Sequence, residues 1–159
     1  LHYETGEPIP DALIEKLEKA ATFDQGFATG EYLAASFLDM DYHTQTQPIS
    51  VSAADFENAS MKKIGLIDEI IPRYRSTYFQ HIFSGGYSAG YYSYIWAAVL
   101  DTDAFAAFKE KSIYDQATAN AFRKNILERG NTGKPADLYR AFRGADPNPI
   151  HLMKKRGLN

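Results

Sequence analysis

Gly26-Phe27-Ala28-Thr29-Gly30-Glu31-Tyr32-Leu33-Ala34-Ala35-Ser36-Phe37-Leu38-Asp39-Met40-Asp41-Tyr42-His43 is the stretch on which the fold class turns. Phe27, Tyr32, Leu33, Ala35, Phe37, Leu38 and Met40 wrap more than half of a helix surface in apolar groups, where a strand would alternate. The spacing predicts a deeply buried helix over 26–43. On its N-terminal side, Pro8 and Pro10 ahead of Asp11-Ala12-Leu13-Ile14-Glu15-Lys16-Leu17 open another helix, with Leu13, Ile14 and Leu17 on one face. On its C-terminal side, 44–50 is a polar connection. Ser52 is the N-cap of the next helix, with Asp55 at the capping-box position, and Gly65 closes it.

The residue before Pro72 avoids the helical region, so Ile70-Ile71-Pro72-Arg73-Tyr74-Arg75 is an irregular approach to a short segment over 77–83 that Ser76 caps. Ser84-Gly85-Gly86 breaks the chain. Helices are then predicted over 89–109, over 115–129 with Gly130-Asn131 stopping it, and over 135–143 with Gly144 beyond. A last one opens on Asp146 as N-cap and Pro147 at N1, and Lys154-Lys155-Arg156 complement its negative end. Neither sustained strand alternation nor an internal repeat interrupts this pattern. The expected architecture is an all-α multi-helix bundle, a single helical domain over 1–159.

The chain's 159 residues, 45% apolar and 14% aromatic, suffice for one compact core. Lys and Arg number 17 against 20 Asp and Glu, a net charge of −3, which disfavours nucleic-acid and anionic-membrane partners. The absence of cysteine excludes disulfides, thiolate nucleophiles and Cys-ligated zinc, and fits a cytoplasmic protein. The longest aromatic-apolar run, 91–100, is about half of the roughly 18–20 residues that span a bilayer. Leu1-His2-Tyr3-Glu4-Thr5-Gly6 carries neither a basic region nor an apolar one and is no signal peptide. It also lacks an initiator Met, so the expectation is a chain cut from something longer.

His2, His43, His81 and His151 do not form H-E-x-x-H, and no P-loop, nucleophile elbow or dinucleotide glycine pattern occurs. Asp39/Asp41 and Asp101/Asp103 fall at expected helix ends, where solvated terminal charge is the expectation. Arg73 and Arg75 suit either carboxylate capture or an ion pair.

The informative stretch is His81-Ile82-Phe83-Ser84-Gly85-Gly86-Tyr87-Ser88-Ala89-Gly90-Tyr91-Tyr92-Ser93-Tyr94-Ile95-Trp96. Tyr87, Tyr91 and Tyr94 stand at i, i+4 and i+7, and a helix starting near residue 88 would put them on one face. Gly85, Gly86 and Gly90 let backbone approach a bound chain closely. A phenol with a pKa near 10 stays protonated at neutral pH and can donate to a developing oxyanion. By spacing alone, packing tyrosines and a structural His81 are the commoner readings.

The Gly-Gly-Tyr-x-Ala-Gly-Tyr-Tyr-x-Tyr-x-Trp run, 85–96, resembles the C-terminal part of the thimet oligopeptidase / oligopeptidase A family of zinc metallopeptidases. The likeness extends through Thr22-Phe23-Asp24-Gln25-Gly26-Phe27, Pro72-Arg73-Tyr74-Arg75-Ser76, Arg129-Gly130-Asn131 and Leu138-Tyr139-Arg140 to Arg156-Gly157-Leu158, and Arg73-Tyr74-Arg75-Ser76 resembles the family's peptidyl-dipeptidase branch. The resemblance implies the C-terminal part of a helical clamshell that hydrolyses short peptides. It also implies that Tyr94 is the catalytic oxyanion donor, and that His81, Gly85, Gly86, Tyr87, Gly90 and Tyr91 bind substrate. Zinc, in the intact enzyme, would come from an upstream segment of the same polypeptide that carries H-E-x-x-H. This stretch is then a C-terminal fragment with no metal residues, inactive alone and prone to self-association through the interface it exposes. The alternative is a non-catalytic helical module that binds peptides or proteins.

Overall fold

The computed structural model describes residues 1–158, and among these the regular elements are all helical. They are α1 (Asp11–Ala21), α2 (Gln25–His43), α3 (Ala53–Lys63), a 3-10 turn (Ser76–Tyr78), α4 (Gln80–Phe83), α5 (Ser93–Lys109), α6 (Gln116–Phe122), a π-helical turn (Arg123–Leu127), α7 (Pro135–Arg143) and α8 (Ile150–Arg156). The all-α expectation holds. The chain divides into two compact units, residues 1–92 with 156–158, and residues 93–155.

In the first unit α2 is the central element. Ala34, Ala35 and Leu38 are fully buried; Ala35 and Leu38 pack with Phe79, Ile82 and Tyr91, while Tyr32, Tyr42, Phe56, Met61 and Tyr74 close the cluster. Burial of α2 is one-sided rather than complete. Phe27 and Phe37 are 44% and 49% exposed, so the apolar girdle read from the sequence is covered on one face only. The apolar face of α1 is likewise open, with Leu17 63% exposed. Ser52 caps α3 as expected, its Oγ accepting the Asp55 N–H at 3.1 Å and donating to the Asp55 carboxylate at 2.7 Å.

Four helical segments differ from the sequence reading. The segment expected over 77–83 under a Ser76 cap is instead a 3-10 turn, Ser76–Tyr78, with Arg75 in the N-cap position, followed by the separate α4. α5 starts at Ser93 rather than 89, because Ala89 sits at φ 54, in the left-handed region that no right-handed helix admits. Asp115 is an N-cap outside α6, accepting the Thr118 N–H at 2.8 Å, and the helix loosens into a π turn at Arg123. α8 starts at Ile150, not after Asp146. Pro149 biases Asn148 away from the helical region, Asn148 Oδ1 takes the Ile150 N–H at 3.0 Å, and Asp146 is bound by Arg140 Nε at 2.7 Å. α7 matches its predicted bounds, with Gly144 beyond it at φ 81.

The second unit packs Phe108, Phe122, Tyr139 and Phe142 ring to ring, with centroid separations of 5.2 to 6.4 Å. No helix among the described residues is long and apolar enough to cross a membrane.

Candidate functional site

The glycine-tyrosine segment leaves α4 through a tight turn. Ser84 and Gly85 both donate their N–H groups to the Gln80 carbonyl, at 2.8 and 2.9 Å. A Cβ on Gly85 would lie 2.8 Å from His81 Cα and 2.9 Å from the His81 carbonyl oxygen, so only glycine fits there. Gly86 follows at φ 80 with open space around it. The chain then folds back: the Tyr87 N–H donates to the His81 carbonyl at 3.0 Å and the Gly90 N–H to the Tyr87 carbonyl at 2.8 Å. The Ser88 hydroxyl donates to the Ile82 carbonyl.

This turn replaces the helical start expected near residue 88, so Tyr87, Tyr91 and Tyr94 do not share a helix face. Their environments differ. Tyr87 is 37% exposed, whereas Tyr91 is 3% exposed. The Tyr91 ring packs against Phe79 at 4.9 Å, Tyr32 at 5.2 Å, His81 at 5.8 Å and Tyr74 at 6.0 Å. His81 stands half-buried between Tyr74 at 4.7 Å and Tyr87 at 6.2 Å, and its Nδ1 is buried without a hydrogen-bond partner. Tyr94 belongs to the second unit, on the first turn of α5, and is 45% exposed.

Both aspartate pairs break the expectation of solvated terminal charge. Asp39 is fully buried. Its Oδ1 accepts the Ala89 N–H and its Oδ2 the Tyr91 N–H, each at 2.9 Å, and His43 Nδ1 lies 2.8 Å from Oδ1. Asp41 takes Ser60 and Lys63, each at 2.7 Å. In the second unit Asp103 is 2% exposed; it accepts the Tyr139 hydroxyl at 2.6 Å and faces His151 Nε2 at 3.3 Å and Arg143 Nε at 3.4 Å. Burial and the Asp103 carboxylate together raise the Tyr139 pKa well above the ordinary phenol value. Only Asp101, 73% exposed, fits the expectation.

One signal for Asp39 was present in the sequence: Tyr32, Ser36, Asp39 and His43 stand at i, i+4, i+7 and i+11, a single face of α2. A polar file along an otherwise apolar helix needs internal partners. Arg75 is committed to an ion pair, its Nε 2.6 Å from Glu57 Oε1. Burial opposes the charge on Glu57, yet the Ser76 N–H and hydroxyl, together with Arg75, hold its carboxyl below the usual carboxylate range. The Arg73 main-chain N–H donates to the Glu31 carbonyl at 2.9 Å. A groove of about 760 Å³ in the second unit, lined by Trp96, Leu100, Ile126, Pro135, Leu138 and Pro147, escaped the sequence reading because its walls come from distant segments.

Among the described residues no three His, Asp or Glu side chains converge to hold a metal ion. The zinc implied by the resemblance therefore has no ligand set in these residues.

A family model described as Peptidase family M3 matches residues 1–158. The chain is 38% identical to a dipeptidyl carboxypeptidase of Escherichia coli (strain K12) over 160 residues, covering 99% of this chain and 24% of that protein. It is 36% identical to oligopeptidase A of the same organism over 158 residues, 99% of this chain and 23% of that protein. Saccharolysin of Saccharomyces cerevisiae is 33% identical over 160 residues, with 99% and 22% covered. The chain thus spans about a quarter of the length of these relatives.

Proposed function

The chain belongs to peptidase family M3, and on that premise we propose that it is the C-terminal substrate-binding part of a zinc metallopeptidase of the peptidyl-dipeptidase kind, hydrolysing short peptides. In this reading Gly85, Gly86, Tyr87 and Gly90 meet the backbone of the bound peptide, with His81 and Tyr91 shaping that surface from behind. Tyr94 donates its phenolic proton in a hydrogen bond to the oxygen that gains negative charge as the peptide carbonyl becomes tetrahedral. The metal and the water-activating base are supplied by a different part of the full-length polypeptide, and no step of theirs is built from these residues.

The observation that carries the reading is the exposure of Tyr87, which directly follows the open Gly86 in the first unit, and of Tyr94 in the second. Tyr87 at 37% and Tyr94 at 45% remain accessible in a chain whose Tyr91 and Tyr139 are 3% and 8% exposed. A neutral donor suits an oxyanion because its strength grows with the developing charge, while it adds no full charge to the ground state. Gly86, with nothing within 4 Å of where a Cβ would stand, leaves room for a peptide strand to lie against the main chain.

The test is Tyr94→Phe in the full-length polypeptide. The expected result is a kcat lower by about 10²–10³ with KM and helical content little changed, the size of effect that loss of one oxyanion donor produces. A fall of only a few-fold overturns the role of Tyr94.

A further inference from the structure

We propose that Asp39 is a positioning residue for peptide binding: its buried carboxylate, steadied by His43, holds the turn 87–91 in the form that presents Tyr87 and Gly90. The proposal rests on the reading of that turn as peptide-contacting.

The geometry of acceptance is the first support. The two N–H groups that meet Asp39 come from residues two apart and arrive on different oxygens, Ala89 on Oδ1 and Tyr91 on Oδ2, each at 2.9 Å. Two diverging donors need two acceptors, and only a carboxylate offers both; asparagine would turn an NH₂ toward one of them. With side-chain exposure of 0%, Asp39 has no water to substitute for either bond.

Backbone conformation is the second. Ala89 is held at φ 54, which a residue with a Cβ adopts only at a cost that surrounding contacts must offset. The contact that offsets it is the bond from Ala89's own N–H to a charged acceptor. The same face of α2 adds a further restraint, since the Tyr32 hydroxyl donates to the Tyr91 carbonyl. His43, one turn beyond Asp39, sets its Nδ1 2.8 Å from Oδ1 and 2.9 Å from the Asp39 carbonyl, fixing the carboxylate's rotation. Both ends of the Ala89–Tyr91 segment are therefore held by one helix face, while Tyr87 and Gly86 ahead of it stay open to solvent.

The experiment compares this chain with its Asp39→Asn, Ala89→Gly, Asp39→Asn/Ala89→Gly and His43→Ala variants, reading amide hydrogen exchange residue by residue and the affinity for a tetra-alanine peptide by NMR titration. In Asp39→Asn, exchange at Ala89 and Tyr91 is expected to quicken about 10- to 100-fold, the range for losing a hydrogen bond to a charged group, while the α3 amides keep their rates. Peptide affinity is expected to fall about tenfold. Glycine takes φ 54 without penalty, so Ala89→Gly in the Asp39→Asn background is expected to recover part of both losses. A merely structural Asp39 gives no such recovery. Should Asp39→Asn fail to fold, His43→Ala decides: a few-fold quickening confined to the same two amides supports the proposal, and none there overturns it. Unchanged exchange at Ala89 and Tyr91 in Asp39→Asn, or uniform loosening that glycine does not relieve, also overturns it. If the unaltered chain shows no peptide binding, the peptide-contacting reading falls, and the exchange rates still decide whether Asp39 holds the turn.

Discussion

Asp39 in the first unit and Asp103 in the second are both buried aspartates on long helices, yet they use their oxygens in opposite ways. Asp39 accepts main-chain N–H groups from a non-helical turn, so it shapes backbone. Asp103 meets side chains from other helices, the Tyr139 hydroxyl, Arg143 and His151, so it joins elements that are already formed. A buried carboxylate facing fixed N–H dipoles can hold a strained loop, whereas one facing a guanidinium is half of an ion pair whose other half cannot be left alone.

The sharpest way to break that contrast is to delete each acid. Asp103→Ala leaves the buried Tyr139 hydroxyl without its acceptor and takes one of two carboxylates from Arg143, which keeps Glu110 at 2.6 Å. A loss of about 3–4 kcal/mol is expected in urea unfolding, since a buried donor and a charged partner are both deprived. Asp39→Ala strands two N–H groups and no fixed cation, and about 1–3 kcal/mol is expected. Equal losses would erase the distinction.

Glu57→Gln comes next, at about 1.5–3 kcal/mol near neutral pH, because it weakens the pair with Arg75. Its pH dependence has a definite sign. The folded pKa lies below the ordinary 4.5, so the stabilisation is present above that value and is lost as pH falls through the folded pKa. Acid titration of the first unit should therefore flatten in Glu57→Gln, read from exchange of the α3 amides. Tyr139→Phe is smaller, about 1 kcal/mol, and affects the opposite limb. Its folded pKa is raised above 10, so that stabilisation is complete below pH 10 and is lost as pH rises beyond it. The fluorescence of Trp96, the chain's one tryptophan, should report an alkaline transition in the second unit that Tyr139→Phe displaces. Least of all, Arg140→Ala removes exposed pairs with Asp137 and Asp146 and should leave the melting temperature unchanged within error.

Helix content was legible because period and capping are local: Ser52 before α3 and Gly144 after α7 act through their own neighbours in the chain. The tyrosine segment was legible as a motif and misleading as geometry. Nothing between 87 and 92 forbids a helix by composition, and it is Asp39, fifty positions before Ala89, that draws the segment into a turn. Separation in sequence also hid Asp103, whose partners Tyr139 and Arg143 stand on α7 and His151 on α8, past α6 and the π turn. Arg75 illustrates the converse, since the ion pair weighed for it needed only an acid in reach, and Glu57 supplies it.

Residue order alone determined that the chain is helical, where most helices stop, and which family its glycine-tyrosine run resembles, because helical period, caps and motifs are encoded within a few residues of one another. Tertiary structure decided which acids lose water, where α5 begins, and which tyrosines remain accessible. Those outcomes depend on desolvation and on donors and acceptors brought together across long stretches of chain, and no local window contains both partners.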